Sequence, residues 1–129
     1  MQKLFWESAW DKTIAPVDRI KIKTHFHDHI PHLLEEVHFS FYKKAINHKS
    51  ELLITVLIHN PQDVALHLQS IVITYKEKDQ QIATGIFSVP VEIERNTSMP
   101  WTFIFSPSNQ TSLSPQYTIS YTKTDMETK

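Results

Sequence analysis

The sequence predicts an all-β domain, an immunoglobulin-like β-sandwich of about seven or eight short strands. Three observations carry that expectation. Short segments of alternating apolar and polar residues recur along the chain, and sustained helical periodicity is scarce. The stretch Glu51-Leu-Leu-Ile-Thr-Val-Leu-Ile-His59 is apolar on both parities and rich in branched side chains, as a strand buried on both faces requires. A barrel is the structural alternative. The 129 residues fit a single domain, 1–129, with an aromatic N-terminal arm over 1–18 and a flexible tail over 123–129.

In the arm, Leu4, Phe5, Trp6 and Trp10 carry a large apolar load, and Pro16 stops any one helix from running through the region. These rings are expected to cover an open edge or one end of the core, with a partner-binding arm as the second reading. Arg19-Ile-Lys-Ile-Lys23 alternates as an edge strand does, and Thr24 to His29 continues it. Pro31 interrupts, Leu33, Leu34 and Val37 support a brief helical turn, and Val37-His-Phe-Ser-Phe41 alternates again. A polar connection, Lys43 to Ser50, leads into the central strand, which Asn60-Pro61-Gln62-Asp63 ends.

Val64, Leu66 and Leu68 then alternate with polar residues. Paired as a hairpin, Ile58 would lie beside Leu66, Val56 beside Leu68 and Ile54 beside Ser70; a crossing from one sheet to the other is the alternative. A bulge or bend at Gln69 or Ser70 shifts the parity to Ile71, Ile73 and Tyr75. Lys76 to Gln81 reads as a charged turn and Ile82 to Phe87 as a strand holding Gly85, the one glycine. Val91 to Glu94 is a short extended piece, followed by a turn around Arg95 to Ser98. Met99 to Phe105 is a strand with Trp101, Phe103 and Phe105 on one face and Pro100 at its start, and Tyr117 to Tyr121 is the last strand.

Composition bounds the chemistry. Cysteine is absent, which removes thiol nucleophiles, thiolate metal sites and disulfides. Thirteen basic against fourteen acidic residues leave a formal charge of -1, hence no global field for nucleic acid, and Arg19, Lys21 and Lys23 read as a charged outer face. A phosphate loop and a Gly-x-Ser-x-Gly elbow are both missing. Glu35 with Glu36, and Glu77 with Asp79, are expected on solvated surface rather than as catalytic carboxylate pairs. No catalytic residue set and no cofactor is expected.

Histidines make the one constellation worth weighing as a metal site: His25, His27, His29 and His32, with Asp28 among them. On an extended strand the first three share a side roughly 7 Å apart, too far to converge on one ion without a twist, so a polar surface is the competing reading. His59 and His67 flank the Pro61 turn near Asp63, where ordinary turn hydrogen bonding is preferred to a small-ligand site. Glu7 and Asp11 interrupt the apolar N-terminus, so no secretion signal is expected, and no run is long enough for a membrane helix. The expected location is the cytoplasm or the cytoplasmic side of the membrane, peripherally bound.

Glu51 to Asn60, Ile82 to Phe87 and Thr97 to Phe105, together with Trp10 and Val37 to Phe41, resemble the SLAP domain family, and Met99-Pro-Trp-Thr-Phe103 is the strongest local feature. The family pattern carries a glycine near the entry to the central strand, where this chain has Asn47-His-Lys-Ser50. The resemblance implies a bacterial, nonenzymatic protein-binding module associated with S-layer assembly and the accessory Sec system. Its partner would be a protein of export or envelope assembly, with no nucleic acid and no stable membrane insertion; a strand edge or loop surface would do the binding. A metal-responsive module using the four histidines, or a purely structural subunit, are the alternatives.

Overall fold

The computed structural model describes residues 2–30, 35–109 and 118–123, with 109 and 118–123 described as backbone. Its elements run β1 (Lys3–Leu4), α1 (Ser8–Thr13), α2 (Pro16–His29), β2 (His38–Ile46), β3 (Leu52–Asn60), β4 (Ile71–Glu77), β5 (Gln80–Phe87), β6 (Thr97–Phe105), a 3-10 turn (Pro107–Asn109) and β7 (Thr118–Lys123). One sheet has the order β1-β6-β3-β2 and the other β5-β4-β7, and together they curve into an open half-barrel.

The all-β, immunoglobulin-like expectation is therefore overturned: the fold is mixed α/β, with two helices in the first 29 residues. The segment from Arg19 to His29, read as an edge strand, is α2. Pro16 lies in the first helical turn, where its fixed φ suits a helix and its missing N–H costs nothing. Asp18 in the first turn and His27 and His29 in the last suit the helix dipole. The buried pair is Ile22 and Phe26, spaced i and i+4, while Val17 and Ile20 stay exposed at 57% and 65%. Alternation over Arg19 to Lys23 thus mimicked a strand because one of its two isoleucines faces water.

β3 lies at the centre of its sheet. Its even residues Leu52, Ile54, Val56 and Ile58 are fully buried in the main core, with Leu66, Leu68, Ile71, Ile73, Tyr75, Ile82, Met99, Phe103 and Phe105. Full burial of side chains of this size contributes roughly 1.5–3 kcal/mol each before entropy is charged. The expected hairpin with 64–68 does not form: β3 pairs antiparallel with β2 and β6. The chain crosses between sheets instead, with Leu66 making a single bridge to Ile93 (Leu66 N–H to Ile93 O 2.8 Å, Ile93 N–H to Leu66 O 2.9 Å). Ser70, at φ 52°, supplies the bend before β4.

Two turns explain how the chain manages with one glycine. At the entry to β3, Ser50 takes φ 62°, and the Asn47 carboxamide oxygen accepts from the backbone N–H groups of Lys49 (2.9 Å) and Glu51 (3.0 Å). That side chain fixes the left-handed turn which a glycine would enter freely. Between β4 and β5, Lys78 and Asp79 both have positive φ (51° and 64°), a tight hairpin turn that matches strand twist. Glu77 beside it is fully buried rather than solvated: Lys44 Nζ lies 3.0 Å and the Tyr75 hydroxyl 2.5 Å from its Oε2.

Candidate binding edge, groove and histidine cluster

β6 has one side on β3 and the other on β1, and the hydrogen bonds say which residues face which. Lys3 N–H donates to Asn96 O (2.8 Å) and Phe5 N–H to Ser98 O (2.9 Å). The even residues of β6 therefore direct their backbone groups toward β1, and the odd residues, such as Phe103 opposite Ile54, direct theirs toward β3. β1 pairs only with Thr97 and Ser98. Past it, among the described residues, no strand covers the outward groups of Pro100, Thr102 and Ile104. This parity also explains Pro100, which lies within β6 rather than at its start: its missing N–H is on the β1 side and subtracts nothing from the β3 ladder.

The edge opens onto a groove on the outer face of the same sheet. Ala45, Leu53, Thr55 and Thr102 form its floor, and Trp10, Ile14 and Ile22 form a wall; its volume is about 640 Å3. The Thr55 and Thr102 hydroxyls bond each other at 2.8 Å, so the floor presents little unsatisfied polarity. Glu7 positions the wall by capping α1, its Oε1 accepting from Ala9 N–H (2.9 Å) and Trp10 N–H (3.3 Å). Arg19 ties α1 to α2 through Asp11 (2.9 Å) and places its guanidinium 4.8 Å from the Trp6 ring centroid. At the rim, Lys43 and Asp18 stand 3.9 Å apart and partly exposed, an ion pair worth little and easily exchanged for another partner. Ile104, at 48% exposure, leaves apolar surface beside the open edge.

Behind α2, at the other end of the face, lies a chain of histidines and serines. The Ser40 hydroxyl is 3.0 Å from His25 Nε2 and 2.8 Å from His59 Nε2. The other nitrogen of His59, Nδ1, is 2.7 Å from the Ser98 hydroxyl, to which the Gln2 amide also donates (3.0 Å). His38 stacks on His59 with ring centroids 4.8 Å apart, and His29 lies 4.1 Å from His25 and 6.3 Å from His59. Burial lowers the His59 pKa to about 3, helped by His38, His29 and His25. It lowers His25 to about 4, with His29 adding to the shift and Asp28 opposing it. Burial, then the nearby Asp18 charge, raises the Tyr42 hydroxyl.

Of the sequence-singled histidines, the helix brings His25 and His29 together, one turn apart, and sends His27 to the exposed side against Phe26. His32 lies outside the described residues. Among the described residues no three histidine or acidic side chains are arranged to hold a metal ion. His59 and His67 are not brought together: His59 is fully buried, His67 is exposed, and Asp63 pairs with Arg95 at 3.4 Å. Sequence reasoning missed His38, Ser40, Ser98 and the β6 edge. A signal for the first existed, since His38 and His59 stand opposite each other across a hairpin centred on Asn47 to Ser50.

A two-sheet half-barrel of this size, carrying a helix and a groove on one outer face, defines the class: a small mixed α/β protein module. The model of the SLAP domain matches residues 4–122, nearly the whole chain, and the chain belongs to that family. It is accordingly a nonenzymatic module of an envelope and S-layer-related kind. No curated protein and no solved structure matches it significantly. No helix among the described residues is long and apolar enough to cross a membrane.

Proposed function

We propose that the module binds an extended segment of a partner protein in envelope protein export or S-layer assembly, by strand addition to β6 beyond β1. The observation that carries this reading is that, among the described residues, no strand pairs with the outward backbone groups of Thr102 and Ile104, which lie beside the apolar groove. An added strand would continue the line that β1 begins. Its backbone would bond the Thr102 and Ile104 groups, and alternate side chains would lie beside Thr102 and Ile104 at the near side of the groove. Ordinarily such an edge is guarded by charge or proline. Here Pro100 guards one position, and the residues after it, Thr102 and Ile104, carry no charge.

Affinity capture from the envelope fraction of the source cells tests the reading. The intact protein should retain S-layer or secretion proteins, and Ile104→Pro, which deletes an outward donor, should reduce that recovery at least tenfold. Equal recovery by both proteins, or none by either, would reject binding at this edge.

A further inference from the structure

We propose that the bridge from His25 through Ser40 to His59 makes the seating of α2 on the sheet conditional on pH, so that acidification lifts the helix from the outer face. This concerns α2 alone and stands whatever binds beside β6. Ser40 is the joint: its single hydroxyl bridges the helix, through His25, to the central strand, through His59. A hydroxyl has one hydrogen to give, so in the neutral chain it donates to one of these two nitrogens and accepts from the other. When both rings are protonated, both Nε2–H groups point at one oxygen, its own hydrogen loses its acceptor there, and two cations flank it.

Among the described residues, no carboxylate sits inside the cluster to offset that charge. From α2 it is faced by His25, His29 and Asp28, and from β2 by His38 and by Tyr42, whose ring lies edge-on to His25 at 5.7 Å. From β3 it is faced by His59, from β6 by the Ser98 hydroxyl, and from the N-terminal segment by the neutral Gln2 amide. Asp28 is the one acid that raises His25, and it is exposed. The Nδ1 atoms of His29 and His38 are engaged with the carbonyls of His25 and Glu36, both at 2.8 Å.

The hold on α2 is slight enough for this charge to matter. Its satellite core has three buried members, Ile22, Phe26 and Leu57, with Leu4, Trp6, Trp10, Ile14 and Tyr42 partly buried around them, against sixteen buried members in the main core. The sign follows from the lowered values. A lifted helix returns His25 toward its ordinary 6.5 and frees His59 of the cover and the His29 and His25 charges that come from α2, leaving it beside His38, while the seated helix holds them near 4 and 3. Above pH 6.5 both forms are neutral and seating is undisturbed; as pH falls from 6.5 toward 4, the lifted form alone takes up protons. The lifting equilibrium then rises by up to tenfold per histidine per pH unit, hence by about tenfold from His25 and by at most about 100-fold for the pair between pH 7.5 and 5.5.

Amide hydrogen exchange, corrected for intrinsic rates, reads this directly in the full chain. Protection in α2 should fall at least about tenfold from pH 7.5 to 5.5, with β4 protection falling far less. The variant His25→Gln, which keeps a side-chain amide within reach of Ser40 and cannot titrate, should weaken the α2 response by about tenfold. Protection in α2 that does not change with pH, an unaltered response in His25→Gln, or joint loss in α2 and β4 would each overturn the proposal.

Discussion

A Phe103→Pro chain does not fold, whereas Ile104→Pro, one residue on, folds with a loss of about 1–2 kcal/mol. The difference rests on parity alone. Phe103 faces Ile54 across the ladder, so a proline there deletes a bond to the central strand, collides with it and empties a side chain that is 1% exposed. Loss of the ring alone costs about 3–5 kcal/mol, and the backbone damage takes the sum to the whole stability of an ordinary small domain. At 104 the N–H faces away from β3, the side on which Pro100 lacks one, and the isoleucine is half exposed. Circular dichroism with urea titration distinguishes the two outcomes. Equal damage from both substitutions would show that the even residues of β6 are not directed outward.

Asn60→Leu should destabilise the domain by about 3 kcal/mol, which lowers Tm by roughly 10 °C at this chain length. Asn60 ends β3 and is fully buried. Its Nδ2 lies 2.9 Å from Val64 O, 3.1 Å from Ile93 O and 3.0 Å from Glu94 O, while its Oδ1 accepts from Gln62 N–H at 3.2 Å. One carboxamide thus fastens the crossing segment to the piece that precedes β6. Leucine has similar bulk but leaves these groups without that partner. Asn60→Asp, nearly identical in shape, should cost at least as much, because it turns an oxygen toward three carbonyls. A thermal melt unchanged by either substitution would contradict this role.

How much of this was legible in the chain depended on whether a residue's environment is local. β3 declared itself because a run apolar on both parities has one economical fate, and β6 did so through Trp101, Phe103 and Phe105. The helix α2 was hidden: its buried residues are only Ile22 and Phe26, and the exposed Val17 and Ile20 blurred the face they define. The crossing at 61–70 keeps Leu66 and Leu68 buried without making them a strand, so alternation was a true signal of burial and a false one of pairing. At the candidate site the open edge could not be seen, because which side of β6 is bare depends on β1, more than ninety residues away in sequence. The histidine chain was missed for a similar reason. Ser40, His59 and Ser98 meet only once β2, β3 and β6 are in register, and His25 joins them from a segment read as extended. Ser50 shows the more local case: it takes φ 62°, and Asn47, three residues before it, holds that turn through its own side chain.

The account turns on where a partner strand would lie. Amide exchange measured by NMR on the protein alone and bound to its captured partner locates it residue by residue. Strand addition at β6 predicts that the Thr102 and Ile104 amides slow at least tenfold on binding, while Phe103, already bonded to β3, changes little. New protection confined to another edge, such as Ile86 on β5, with Thr102 and Ile104 unaffected, would contradict it.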